Sequence, residues 1–161
     1  MERLWAPWRM EYILKCRQPG CFLCDAFQSE ADREHLIVKR SAVCALIMNR
    51  YPYNNGHLMV APYRHVDSVE GLRPEEQAGM MALAATACAR LREVVHAQGF
   101  NLGINQGTAA GAGLKDHVHL HIVPRWEGDT NFMPVLADVK VIPQPLRELW
   151  DQLQGAFEKF R

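Results

Sequence analysis

From Asp116 to Arg125 the chain alternates, with His117, His119 and His121 interleaved with Val118, Leu120 and Ile122. A period of two is that of a β-strand, and it places three imidazoles on one polar face and three aliphatic side chains on a buried face. At about 3.3 Å per residue, His117 and His121 stand about 13 Å apart along the backbone. One zinc ion, bound at about 2.0–2.1 Å by nitrogen, cannot reach all three. A neighbouring pair can share an ion, and the third is left for other chemistry.

The same patterning predicts the other elements. Residues 27–40 read as helical and then extended, with Leu36-Ile37-Val38 opening a strand. Residues 42–48 form a continuous apolar run of strand length, as expected of a strand buried on both faces. Asn49 to Gly56 is turn chemistry throughout, and His57 to Ala61 resumes as a strand closed by Pro62. Arg73-Pro74-Glu75-Glu76 is a helix start, with Pro at the first helical position and acids in the first turn. Met80, Ala84, Ala87, Cys88, Leu91 and Val95 then recur at three- and four-residue steps, an apolar stripe expected to cover a sheet, with Gly99 as the stop. Phe100 to Asn105 is a short strand. Residues 106–116 form a loop with three glycines, whose backbone N–H groups suit an anion. It is not a nucleotide-binding P-loop, because no Gly-Lys-Ser/Thr follows and a strand, not a helix, comes next. Residues 139–142 read as an edge strand. Pro145 leads a terminal helix with Leu146, Leu149, Trp150, Leu153 and Phe157 on one face.

Composition narrows the class. A chain of 161 residues with 48% apolar content is one globular domain, with an aromatic arm over residues 1–19 (Trp5, Trp8, Tyr12, Ile13) and the terminal helix over 143–161. Formal charge is zero, so there is no basic footprint for nucleic acid, and no apolar run reaches the roughly 18–20 residues of a membrane span. The N-terminus lacks the apolar stretch of a signal peptide, and the expectation is a cytoplasmic protein. Arg outnumbers Lys thirteen to five, which suits phosphate recognition and equally well reflects genomic base composition.

Five cysteines, an odd number, argue against a disulfide framework. Cys21-x2-Cys24 is the spacing of a zinc knuckle. Including Cys16 gives an iron–sulfur spacing, but that needs a fourth cysteine and Cys44 and Cys88 lie in apolar segments. A redox C-x-x-C would follow a strand, and none precedes it here. Two more zinc ligands are required: His117 at the edge of the triad, and one of His35, His57 or His65, between which spacing does not decide. Neutral imidazole can attack phosphorus, so the residues suggest phosphoryl or nucleotidyl transfer with His119 as nucleophile and His121 as phosphate donor.

His117-Val-His119-Leu-His121-Ile-Val resembles the signature of the histidine triad (HIT) family of nucleotidyl hydrolases and transferases. Asn49 to His57, Pro62, Leu72-Arg-Pro-Glu-Glu and Asn105-x-Gly107 stand in the order expected of that family, over roughly residues 20–126. The segment from Arg125 to Met133 looks like its diadenosine tetraphosphate phosphorylase-like branch. The resemblance implies an α+β fold, an antiparallel sheet of about five strands carrying the long helix and the C-terminal helix, and a homodimer. It implies a covalent nucleotidyl intermediate on His119, contact of His121 with the scissile phosphate, and support from His57. Substrate contacts fall on Asn49, Asn105, Ala112, Gly113, Leu114 and Lys115, and one structural zinc per chain falls on Cys21, Cys24, His65 and His117. The implied substrate is a dinucleoside polyphosphate, with phosphate or water as acceptor. Gly113 and Leu114 replace the polar pair of the phosphoramidate-cleaving branch, which disfavours that activity. The rival readings are a nucleoside phosphoramidate hydrolase, a hydrolase with a catalytic zinc, and a purine-nucleotide-binding protein without turnover.

Overall fold

The computed structural model describes residues 20–129 and 142–159. The aromatic arm, Cys16, the turn at 130–134 and all but the last residue of the edge strand expected at 139–142 lie outside the described residues. In chain order the elements are α1 (Phe22–Gln28), α2 (Asp32–His35), β1 (Ile37–Arg40), β2 (Cys44–Met48), β3 (Leu58–Pro62), α3 (Pro74–Val95), β4 (Gly99–Ile104), β5 (Leu120–Arg125) and α4 (Leu146–Glu158). The five strands form one antiparallel sheet in the order β1-β2-β3-β5-β4. This is the expected α+β architecture. No helix among the described residues is long and apolar enough to cross a membrane.

The alternation along the central strands sorts the core into two layers. Leu46, Leu58, Val60, Leu120 and Ile122 face α3 and α4, meeting Met80, Ala84, Ala87, Leu91, Leu149, Leu153 and Phe157. Ala45, Ile47, Met59 and Ala61 point the other way and pack on Leu23 and Ala26 of α1. β2 is therefore buried on both faces, as its unbroken apolar run requires. The side chains of β5 opposite the long helix are the histidines, with His121 paired between Met59 of β3 and Gly103 of β4.

Two expectations are corrected. The histidine segment is a regular strand only from Leu120; His117 to His119 form an irregular lead-in whose Val118 N–H donates to Val66 O at 2.7 Å. His117, His119 and His121 are all buried. The helix α3 stops at Val95, four residues before Gly99, because His96 takes the left-handed conformation (φ 53°) and its N–H donates to Leu91 O. Trp126 completes that end: its indole N–H donates to the carbonyls of Val95 and His96 at 3.1 and 2.9 Å, so a non-glycine stop is held by a side chain from beyond β5.

The two edges of the sheet differ. Trp150 and Gln154 of α4 donate to the outer carbonyls of Ile37 and Val38, covering β1. β4 is the other edge and exposes Asn101, Leu102 and Gly103.

The turn between β2 and β3 is pressed onto the core at Gly56. Its φ is +75°, and a Cβ there would stand 2.9 Å from Leu91 Cδ2 and 3.2 Å from Pro124 Cγ. Gly56→Ala is expected to lower unfolding free energy by about 2–4 kcal/mol, combining overpacking with left-handed strain. Urea denaturation measures it, and an unchanged midpoint would show that the turn is not pinned there.

Candidate functional site

Each histidine of the triad region has a hydrogen-bond partner that fixes its tautomer. A backbone N–H can only donate and a carbonyl can only accept, so neutral imidazoles can be assigned one by one. Tyr53 N–H donates to His57 Nδ1 at 3.1 Å. The Asn49 amide, whose Oδ1 accepts from Tyr51 N–H at 2.9 Å, presents its NH2 to the same Nδ1 at 3.3 Å. His57 therefore carries its proton on Nε2 and donates it to His121 Nδ1 at 2.9 Å. That leaves His121 with Nε2–H outward as a donor. His119 runs the other way: Nδ1–H donates to His117 O at 2.8 Å, and Nε2 keeps its lone pair. The His119 and His121 rings lie 4.7 Å apart at 72°. A lone pair and an N–H donor thus stand side by side.

Burial keeps these rings uncharged. Desolvation, followed by the neighbouring His121 and His119, pushes His57 down to about 3. Desolvation and then His119 push His121 down to about 4. His119 is lowered by burial, opposed in part by its bond to His117 O. At neutral pH the pair is a neutral acceptor beside a neutral donor.

A second cluster lies at the head of the same segment. One ligand atom each from Cys21, Cys24, His65 and His117 falls within 4.8 Å of the other three. Cys21 precedes α1 and Cys24 lies in its first turn, so a helix start brings the thiols together. His117 Nε2–H donates to Pro62 O at 2.9 Å, which turns the Nδ1 lone pair toward Cys21 Sγ at 3.2 Å and Cys24 Sγ at 3.6 Å. His65 Nδ1 lies 3.2 Å from Cys24 Sγ. Two soft sulfurs and two imidazoles at these separations fit one tetrahedral zinc, and four protein ligands leave it no open position for water. Without an ion, burial and the Cys21 thiol push Cys24 up to about 11. Of the three candidate upstream ligands, His65 is in this cluster, while His57 belongs to the relay.

The remaining candidates are placed more loosely. Asn105 directly follows Ile104, the last residue of β4, which pairs with Leu120. The loop at 106–116 opens with a 3-10 turn over Thr108–Ala110, and Ala112 N–H closes back on Gly107 O. Leu114 packs beside Cys21, Phe27 and Tyr63 against the apolar layer of α1, while Gly113 and Lys115 are exposed. Sequence reading missed Tyr53 N–H and Pro62 O, because main-chain donors and acceptors leave no mark on residue type.

Comparison with known proteins agrees with this geometry. The HIT domain family matches residues 30–128. The AP-4-A phosphorylase of Mycobacterium tuberculosis (strain CDC 1551 / Oshkosh) is 42% identical over 156 residues, covering 92% of this chain and 80% of that protein. The bis(5'-nucleosyl)-tetraphosphatase (asymmetrical) of Schizosaccharomyces pombe is 32% identical over 90 residues, 56% of this chain and 49% of its own. Among solved structures, a Zn-bound histidine triad family protein from Mycobacterium smegmatis superposes with a TM-score of 0.71 at 28% identity, covering 87% of this chain and 94% of that one. With its five-stranded sheet and its four-ligand zinc site, the chain belongs to the HIT family.

Proposed function

We propose that this protein is a dinucleoside polyphosphate phosphorylase or hydrolase, acting on substrates such as diadenosine tetraphosphate through a nucleotidyl group carried on His119. One observation carries the reading: His119 Nδ1–H is held by a carbonyl, so Nε2 is a fixed, unprotonated nucleophile beside the Nε2–H of His121. The AP-4-A phosphorylase relative, at 42% identity over most of the chain, supports the substrate class.

In the first half-reaction the Nε2 lone pair attacks the α-phosphorus and a P–N bond forms. The bond from that phosphorus to the bridging oxygen breaks, and its electron pair leaves with ATP. His121 Nε2–H donates to phosphate oxygen as charge builds there, and His57 and Asn49 hold His121 in the donor tautomer. In the second half-reaction an oxygen of phosphate or water attacks the same phosphorus, the P–N bond breaks, and His119 regains its lone pair. Phosphate yields ADP and water yields AMP. Asn49, Asn105 and the loop from Ala112 to Lys115 line the approach, with Lys115 supplying positive charge.

Cys21, Cys24, His65 and His117 would hold a zinc at the base of the site, which would fix His117 in place and leave bond making to His119 and His121. The thiols stay reduced in the cytoplasm, where we place the protein. Among the described residues the β1 edge is covered and the β4 edge is open, which favours a homodimer in which two β4 strands pair across a two-fold axis.

Wild-type protein is expected to convert diadenosine tetraphosphate to ATP plus either ADP, when phosphate is supplied, or AMP, in its absence. His119→Ala is expected to lower turnover at least a thousandfold, about the loss seen when a covalent nucleophile is removed. Chromatography of the products decides, and wild-type turnover by His119→Ala would sink the covalent route. Purified protein should hold one zinc per chain by elemental analysis. Cys24→Ser should lose that zinc and several degrees of melting temperature, and retention of both would show that Cys24 is no ligand. Leu102→Lys should convert the dimer to monomer in sedimentation, and an unchanged mass would move the interface away from β4.

A further inference from the structure

Tyr53 is held in place without being buried. Its N–H is committed to His57 Nδ1, and the next residue, Asn54, is buried with its amide donating to Pro124 O at 3.0 Å and Asp129 Oδ2 at 3.1 Å. The backbone on both sides is fixed, yet the Tyr53 side chain is 57% exposed.

Its ring has a defined neighbourhood. The centroid lies 4.6 Å from the His57 ring at 34° and 5.9 Å from the His121 ring at 32°, both stacking separations. His121 is in turn 4.7 Å from His119. The rings of Tyr53, His57 and His121 thus form one cluster, with His119 beside His121. In-line displacement sends the departing group to the far side of phosphorus from the attacking Nε2. The exposed Tyr53 face lies beside the His121 donor, within reach of a group departing from the phosphate that His121 meets. A nucleobase offers a π-face to any such ring, and stacking of this kind tolerates different bases because it reads no hydrogen-bonding edge.

We infer that Tyr53 is the stacking surface for the base of the departing nucleotide, and so makes the site prefer dinucleoside over mononucleoside polyphosphates. The inference rests on the function proposed above, since it takes His119 as the attacking group. Tyr53 does not act on the reacting atoms: its ring holds the far end of the substrate, while its N–H serves the relay whichever side chain it bears.

The test compares kcat/KM for diadenosine tetraphosphate with that for adenosine 5'-tetraphosphate. The latter has the same adenylyl group and the same phosphate chain but no second base. Tyr53→Ala is expected to lower the ratio of the two values about tenfold, chiefly through KM for the dinucleotide, and Tyr53→Phe to keep it within about twofold. Damage to the histidines or to folding lowers both substrates alike and leaves the ratio unmoved. A ratio unchanged in Tyr53→Ala, whether both rates hold or fall together, overturns the inference while leaving the proposed function standing. Wild-type protein that turns over neither compound overturns the proposed function, and the inference falls with it.

Discussion

His117 is the residue on which both halves of the site depend. Its Nε2–H is donated to Pro62 O, its Nδ1 faces two thiols, and its own carbonyl receives the Nδ1–H of His119. One residue therefore belongs to the zinc cluster through its ring and to the triad through its backbone. The lead-in at residues 117–119 is not part of the ladder, so the sheet does not fix it. The bonds from Val118 N–H to Val66 O and from His117 Nε2–H to Pro62 O do that instead. Moving His117 would move the carbonyl that chooses the His119 tautomer, and so the atom available for attack.

The relay on the other side has the same logic with opposite polarity. Burying imidazoles is costly unless each nitrogen is assigned a partner. Here main-chain groups make the assignments at both ends: Tyr53 N–H forces a proton onto His57 Nε2, and His117 O forces one onto His119 Nδ1. Between those two constraints nothing is left free. His121 must accept from His57 and must present Nε2–H outward. Low pKa values for His57 and His121 follow from the same burial, and they ensure that neutral forms, for which the donor–acceptor order is unique, prevail at pH 7.

Much of this was legible in residue order. Period-two alternation put His121 on the right face, the Cys21–Cys24 spacing announced a metal site, and Arg73-Pro74-Glu75-Glu76 placed the start of α3. Other features could not be read because tertiary partners decide them. The end of α3 at Val95 depends on Trp126, thirty-one residues later, and nothing in the sequence near His96 signals a left-handed stop. The lead-in at His117 obeys the alternation of a strand without being one, since its backbone partner is Val66 and not a neighbouring strand. Choosing His65 over His35 or His57 as a zinc ligand required either a family resemblance or coordinates, because all three precede the triad at plausible distances along the chain.

The turn between β2 and β3 shows why such a site can be stiff on one side and open on the other. Asn54 and Gly56 are sealed into the core, the first by hydrogen bonds across to β5, the second by van der Waals contact with α3 and Pro124. Asn49 and Tyr53, between or beside them, inherit that rigidity through the backbone. Their inward groups set the histidine tautomers, which tolerate little error because a hydrogen bond weakens steeply with angle. The Tyr53 ring projects outward beside the histidines, where it meets whatever enters the site. A single turn can therefore fix the chemistry with its main chain and leave one side chain free to select the substrate.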